Sequence, residues 1–257
     1  MREVADDLGM PCSLPAGPLT RVVSLVPSLT EAVAVTRPQS LVGATDWCTH
    51  PADLDVPRVR GTKNPNVAAI VDLAPDLVVA NKEENRKLDV VRLRDAGVPV
   101  WVTVIEDVPQ AIAAMERLFD EALAWGVPDW LAEAGRLWAG PAAQLLARVA
   151  VPIWRDPWMV VGSSTFTGDL LGRVGLDNLF GGHPERYPHI ELTDIDRDDV
   201  AVLLPDEPYE FSPKDGPEAF SRASTRLVSG RLITWYGPSL VEAREALDTL
   251  AHEVAAG

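Results

Sequence analysis

Residues 75–85 read PDLVVANKEEN. Leu77, Val78, Val79 and Ala80 make a short apolar run behind the turn-forming Pro75 and Asp76, and the run passes directly into five hydrogen-bonding side chains. A parallel strand covered on both faces is apolar throughout, and in open α/β sheets ligands sit beyond the carboxyl ends of the strands. Asn81, Lys82, Glu83, Glu84 and Asn85 therefore lie where a pocket is expected. For an isolated strand, a solvated loop leading into a helix near Arg86 is the plainer alternative. Here other strands end in loops loaded in the same way.

Working outward, short apolar runs alternate with amphipathic stretches, the pattern of parallel βαβ units. Strands are expected at 21–26, 41–45, 76–80 and 98–104. Helices should follow Ser28 with Glu31, a capping-box pair, and Pro65, with Asn64 as its cap. Ile112, Met115, Leu118, Phe119 and Ala122 keep helical spacing, and residues 129–149 carry no strand pattern. About 20 helical residues would span roughly 30 Å, with Gly140-Pro141 kinking or splitting the rod. Beyond it, strands are expected at 151–154, 158–161, 200–204 and 232–235, with helices near 167–174 and 239–254. The expected organisation is α/β: two Rossmann-like lobes with mainly parallel sheets joined by a long backbone α-helix. Its boundaries fall at 1–126, 127–149 and 150–257.

Composition excludes several functions. The 257 residues are 47% apolar and 24% charged, enough for two modest cores. Lys and Arg total 23 against 38 Asp and Glu, a net charge of −15. Nucleic acid and acidic membrane surfaces are therefore poor partners. Cys12 and Cys48 are the only cysteines, which leaves no disulfide framework and no CxxC signature. The opening MREVADDLGMPCSLP lacks a basic start and an apolar h-region, and no apolar run approaches a membrane span. No membrane insertion is expected. The location is cytoplasmic as written, or the cell-envelope exterior or periplasm if a leader has been removed.

The loops after the strands hold the chemistry. They are Asp46-Trp47-Cys48-Thr49-His50, Gly61-Thr62-Lys63-Asn64, the 81–85 cluster, Trp154-Arg155-Asp156-Pro157-Trp158, 206–211 with Glu207 and Tyr209, and Trp235-Tyr236-Gly237-Pro238. Trp and Tyr offer broad rigid area with a hydrogen-bonding tip, suited to a large flat ligand with polar edges. Lys63, Lys82 and Arg155 would add positive charge for anionic ligand groups. Structural alternatives stand beside these readings: Trp158 as core filler, Asn64 as a helix cap, Cys48 as a buried thiol, Trp235 and Tyr236 as a packed turn. His50 precedes proline and has no second ligand at metal spacing. Gly162-Ser163-Ser164 lacks the spacing of a nucleophile elbow, so no catalytic residues are assigned.

Taken in order, RVVSLVPSLTEAV, DWCTHP, PRVRGTKNPN, LAPDLVVANKEEN, IWRDPWMVVGSSTF, GLDNLF, RYPHIEL, DEPYEF and WYGPS resemble the helical-backbone metal-chelate receptors, the class III solute-binding proteins of ABC importers for cobalamin, ferric siderophores and haem. The likeness spans about residues 19–246 and is nearest a branch carrying GTKNP and NKEEN. It implies a ligand held between two lobes, with Trp47 and either Trp235 or Tyr236 packing on a corrin. Asn81 stands where some cobalamin receptors carry tryptophan. It also implies a permease docked through acidic residues, with Glu83 or Glu84 and Glu191 as candidates.

The resulting expectation is a monomeric binding protein, not an enzyme, that captures a metal-chelate small molecule for an ABC permease. Its ligand-binding residues would be Trp47, Lys63, Asn64, Asn81, Lys82, Glu83, Glu84, Asn85, Trp154, Arg155, Trp158, Glu207, Tyr209, Trp235 and Tyr236. No cofactor is required, and the metal would arrive already chelated as cobalamin, ferric siderophore or haem. A cytosolic carrier or sensor of the same ligands, or an enzyme using the cleft, are the alternatives.

Overall fold

Each of the two apolar stretches that alternate with helices closes into its own parallel sheet, as seen in a computed structural model describing residues 1–257. The elements in order are β1 (Arg2–Ala5), β2 (Pro11–Leu14), β3 (Val22–Ser24), α1 (Pro27–Thr36), β4 (Leu41–Ala44), α2 (Val67–Asp72), β5 (Leu77–Asn81), α3 (Lys87–Asp95), β6 (Val100–Thr103), α4 (Val108–Arg117) and α5 (Asp129–Trp138). They continue with β7 (Ala147–Ala150), β8 (Pro152–Trp154), β9 (Met159–Val160), α6 (Phe166–Gly172), β10 (Leu176–Asn178), β11 (Ala201–Pro205), β12 (Ser224–Val228), α7 (Gly230–Thr234) and α8 (Ser239–Ala256).

Two compact units result. One comprises Met1–Ile105, Gln110–Gly135 and Tyr236–Pro238; the other comprises Glu106–Pro109, Arg136–Trp235 and Ser239–Gly257. In the first, four parallel strands run in the order β4-β3-β5-β6. All five residues of β5 are buried, which is why its first four, Leu77 to Ala80, read as an apolar run. Val23, Val78, Val100 and Val102 pack with Ile70, Val90 and Leu93 to form the core. In the second, the parallel order is β10-β7-β11-β12, and Val202, Leu204, Trp158, Val160 and Phe211 share a core. No helix is long and apolar enough to cross a membrane.

An additional hairpin, β1 with β2, lies on the open edge of β6. Leu14 and Cys12 are buried, and Asp6 closes the edge: one carboxylate oxygen accepts from Leu8 N and Met10 N, the other from Arg94 and from Val102 N of β6. Asp7 accepts from Val104 N at 3.0 Å. Two carboxylates thus satisfy edge amides that would otherwise be open to another strand.

Several expectations are corrected. The connecting helix is ten residues, Asp129–Trp138, and not 127–149: Gly140-Pro141 ends the helical path, and Ala147–Ala150 becomes β7 at the centre of the second sheet. The 232–235 run, expected as a strand, is mostly the short helix α7, because the sheet edge is taken by β12. Only half-buried, β12 lacks an apolar signature in sequence. Strands 151–154 and 158–161 form an antiparallel hairpin outside the main sheet. Helix α1 is preceded by Val26 as its N-cap without a side-chain bond, so Ser28 is not a cap, and the cap of α2 is Asn66, whose side chain accepts from Ala69 N, in place of Asn64.

Candidate functional site

In the first unit the chain leaves β3 toward β4 on one side and β5 toward β6 on the other, so the strand order reverses between β3 and β5. The carboxyl ends of those strands are where an open sheet offers a crevice. The 81–85 cluster sits there, and its asparagines are braces. Asn81 is buried; its carbonyl oxygen accepts from Glu83 N at 2.8 Å and Glu84 N at 3.3 Å, and its amide donates to Thr103 Oγ1 at 3.1 Å. Asn85, also buried, accepts from Asn81 N at 2.9 Å and donates to Leu25 O at 3.3 Å and Thr62 O at 3.0 Å. Three loops are locked together by one side chain. Asn81 and Asn85, expected among the ligand-binding residues, are buried and bonded within the turn, because backbone groups in a turn with no ladder must be satisfied locally.

What these braces hold outward is the polar rim. Lys63 Nζ donates to Glu83 O at 2.5 Å. Glu84 is partly buried, and burial pushes its carboxyl up, opposed by the Lys63 ammonium and reinforced by the neighbouring Glu83 charge. Lys82 is exposed, with its backbone N–H on Thr103 O at 2.9 Å.

Trp47, 67% exposed, stands on the loop after β4. That loop is rigid at its base. Arg58 donates to Thr45 O, Cys48 O and Leu54 O at 2.8–3.2 Å, and the Cys48 thiol is enclosed by the Thr30 and Thr45 hydroxyls. The adjoining GTKN loop meets Trp47 at Gly61, where a Cβ would lie 3.3 Å from the indole nitrogen and 2.6 Å from Asn64 Oδ1. A glycine there is a condition of the two loops touching. Arg58, Gly61 and the two threonines carried no pattern that marked them in the sequence.

In the second unit the strand order reverses between β7 and β11, and the loops at their carboxyl ends form an aromatic and charged cluster. Trp154, 48% exposed, meets Tyr209 edge to face at 5.4 Å, and Tyr209 lies 4.7 Å from Phe211. The Tyr209 hydroxyl donates to Asp215 at 2.7 Å, a bond that holds its proton and raises its pKa. Arg155 pairs with Asp215 and, at 2.7 Å, with Glu218, while its guanidinium stacks over Trp158 at 5.4 Å. Bonding to Arg155 holds the Glu218 carboxyl below the ordinary range. Asp215 and Glu218 were not anticipated; the only signal was acidic residues in the turn-rich stretch PKDGPE.

Three expected contacts are buried instead. Trp158 stacks face to face on Phe211 at 6.0 Å and belongs to the core. Trp235 and Tyr236, expected as exposed neighbours, are 6% and 7% exposed. After Tyr236 the backbone runs flat against α1: a Cβ on Gly237 would meet Ser28 O at 2.9 Å. Glu207 is half-buried at the start of its loop, its backbone packed on Gly230. No group of three or more His, Cys, Asp or Glu side chains is placed to hold a metal ion.

No known family profile matches the chain. Among characterised sequences it is 23% identical over 202 residues to the vitamin B12-binding protein of Pectobacterium carotovorum, covering 75% of this chain and 73% of that one. Among solved structures, the periplasmic vitamin B12 binding protein of Vibrio cholerae superposes with a TM-score of 0.74 at 16% identity, over 92% of this chain and 98% of the other. A periplasmic heme binding protein from Pseudomonas aeruginosa gives 0.73 at 24%, over 91% and 93%. The chain is similar in sequence to vitamin B12-binding proteins and shares its fold with periplasmic vitamin B12- and heme-binding proteins. Its two-unit α/β fold is that of these periplasmic proteins, and those relatives and neighbours are binding proteins.

Proposed function

We propose that this protein captures a metal-chelate small molecule as the substrate-binding component of an ABC importer. The observation that carries the reading is the pair of tryptophans left open at sheet ends: Trp47, on a loop held by Arg58 and by the buried Cys48 thiol, and Trp154, at the end of β8 against Tyr209. An exposed indole on a rigid loop offers apolar area for a flat chelate without an ordering cost. Lys63, Lys82, Glu83, Glu84 and Tyr209 supply the polar edge. A corrinoid, a ferric siderophore or haem has the required shape, and the vitamin B12- and heme-binding relatives support that class. On this reading the metal arrives already chelated. The periplasmic neighbours favour an importer component outside the cytoplasmic membrane over a cytosolic carrier or sensor. Glu83 or Glu84 on one unit and the exposed Glu191 on the other are the proposed permease contacts, and the working form is a monomer. Titrating the full chain with cobalamin, haemin and ferric siderophores against tryptophan fluorescence tests the reading. Saturable quenching by one is expected; silence from all would sink it.

A further inference from the structure

The one guanidinium beside the aromatic wall of the second unit is already neutralised. Arg155 shares a single Nη1 between Asp215 and Glu218, and Asp156 Oδ2 lies 3.4 Å from its Nε. The same Asp215 accepts from the Tyr209 hydroxyl, so the acid that cancels Arg155 also fixes the ring facing Trp154. Around this point, residues 206–218 carry five carboxylates against one lysine. In the first unit the bases near Trp47 are also committed. Arg58 is spent on three carbonyls, and Lys63 donates to Glu83 O with the Glu84 carboxyl beside it.

Such a surface treats ligand edges unequally. A carboxylate at the Trp154–Tyr209 wall would face uncompensated negative charge and would have to displace Asp215 or Glu218 to reach Arg155. An amide edge would meet acceptors its N–H groups can donate to and pay no such repulsion. Resting on the proposed binding function, we infer that Asp215 and Glu218 are charge-selecting residues: the site takes chelates with a neutral or cationic periphery and rejects polycarboxylates.

Two corrinoids with the same ring separate charge from shape: cobinamide, edged with amides, and cobyrinic acid, edged with carboxylates. Calorimetric titration of the full chain at low salt should show cobinamide bound at least tenfold more tightly, with the ratio shrinking as salt screens the rim. In an Asp215→Asn, Glu218→Gln double variant, Arg155 is released and the ratio should fall toward one. Equal or tighter binding of cobyrinic acid by the parent chain would overturn the inference while leaving chelate binding intact. The parent ratio decides even if the double variant does not fold. Absence of binding to both corrinoids, haemin and a neutral ferric hydroxamate would overturn the binding function and the inference together.

Discussion

Trp47 and Trp158 are both tryptophans on loops that the sequence marks for ligand binding, yet they should respond to alanine in opposite ways. Trp47 is 67% exposed, so of the up to about 250 Å² a tryptophan can bury, about 170 Å² remains open. A flat ligand lying on one face would cover about half of that, and at about 25 cal/mol per Å² the contact contributes about 2 kcal/mol, roughly 30-fold in Kd. Removing so exposed a side chain costs little stability. Trp158, 9% exposed and stacked between Phe211, Phe220 and Arg155, fills the second core. Its truncation should cost about 3–5 kcal/mol and lower the Tm by roughly 6–20 °C. The assay is calorimetric titration with cobalamin, or whichever chelate the parent binds, alongside thermal unfolding of each variant. A Trp47→Ala protein within threefold of the parent Kd would refute the stacking role, as would a Tm loss equal to that of Trp158→Ala.

Three further outcomes are expected. Burial raises the Glu84 pKa, so its charge opposes folding at neutral pH, and stability falls as pH rises through the interval just above the ordinary value of 4.5. Glu84→Gln should raise stability at pH 7 and flatten the dependence above pH 4.5, read from urea unfolding at pH 5 and 7; an unchanged slope would contradict the burial argument. Gly162→Ala places a methyl 2.9 Å from Arg186 O and from Pro188 Cδ, where the backbone after β9 bonds Arg186 O at 2.7 Å; it should cost about 1–3 kcal/mol, and an unshifted Tm would show that residues 185–188 yield freely. Asp6→Ala strands Arg94 and the Val102 amide and should lower stability by about 3 kcal/mol with faster hydrogen exchange at Val102; a loss under about 1 kcal/mol would mean that the hairpin is dispensable.

Where a strand is buried on both faces, its sequence declares it. Residues 76–80, 98–104 and 200–204 read correctly for that reason, and they became β5, β6 and β11. Strands β7, β10 and β12 escaped for the converse reason. β7 begins with exposed positions after a stretch that looked helical, β10 alternates over only three residues, and β12 is an edge with little buried face. At the rims, sequence located the loops but not the direction of each side chain. Asn81, Asn85, Trp158, Trp235 and Tyr236 all sit in loaded loops and all turn inward, because a loop at a sheet end must first satisfy its own amides and cover its own core. Arg155 shows the remaining gap. Its guanidinium was legible as positive charge, but its two carboxylate partners lie 60 and 63 residues away, a separation no local pattern spans.

The inward turn of the two asparagines bears directly on how the rim could discriminate. Asn81 fixes the backbone N–H groups of Glu83 and Glu84, and Asn85 ties the same turn to Leu25 and Thr62. Lys63, one residue beyond Thr62, then reaches Glu83 O from a loop already pinned. The charged groups are therefore presented by a turn whose geometry is set before any ligand arrives, so binding need not order them. An aromatic at position 81 would add contact area but remove the acceptor for two amides, each costing about 1–3 kcal/mol if left unpaired in a buried turn. On the proposed function, the 81–85 segment gives up stacking area for a fixed polar edge, and within the same unit that area falls to Trp47. Shape tolerance would then come from Trp47 and selectivity from the rigid charges.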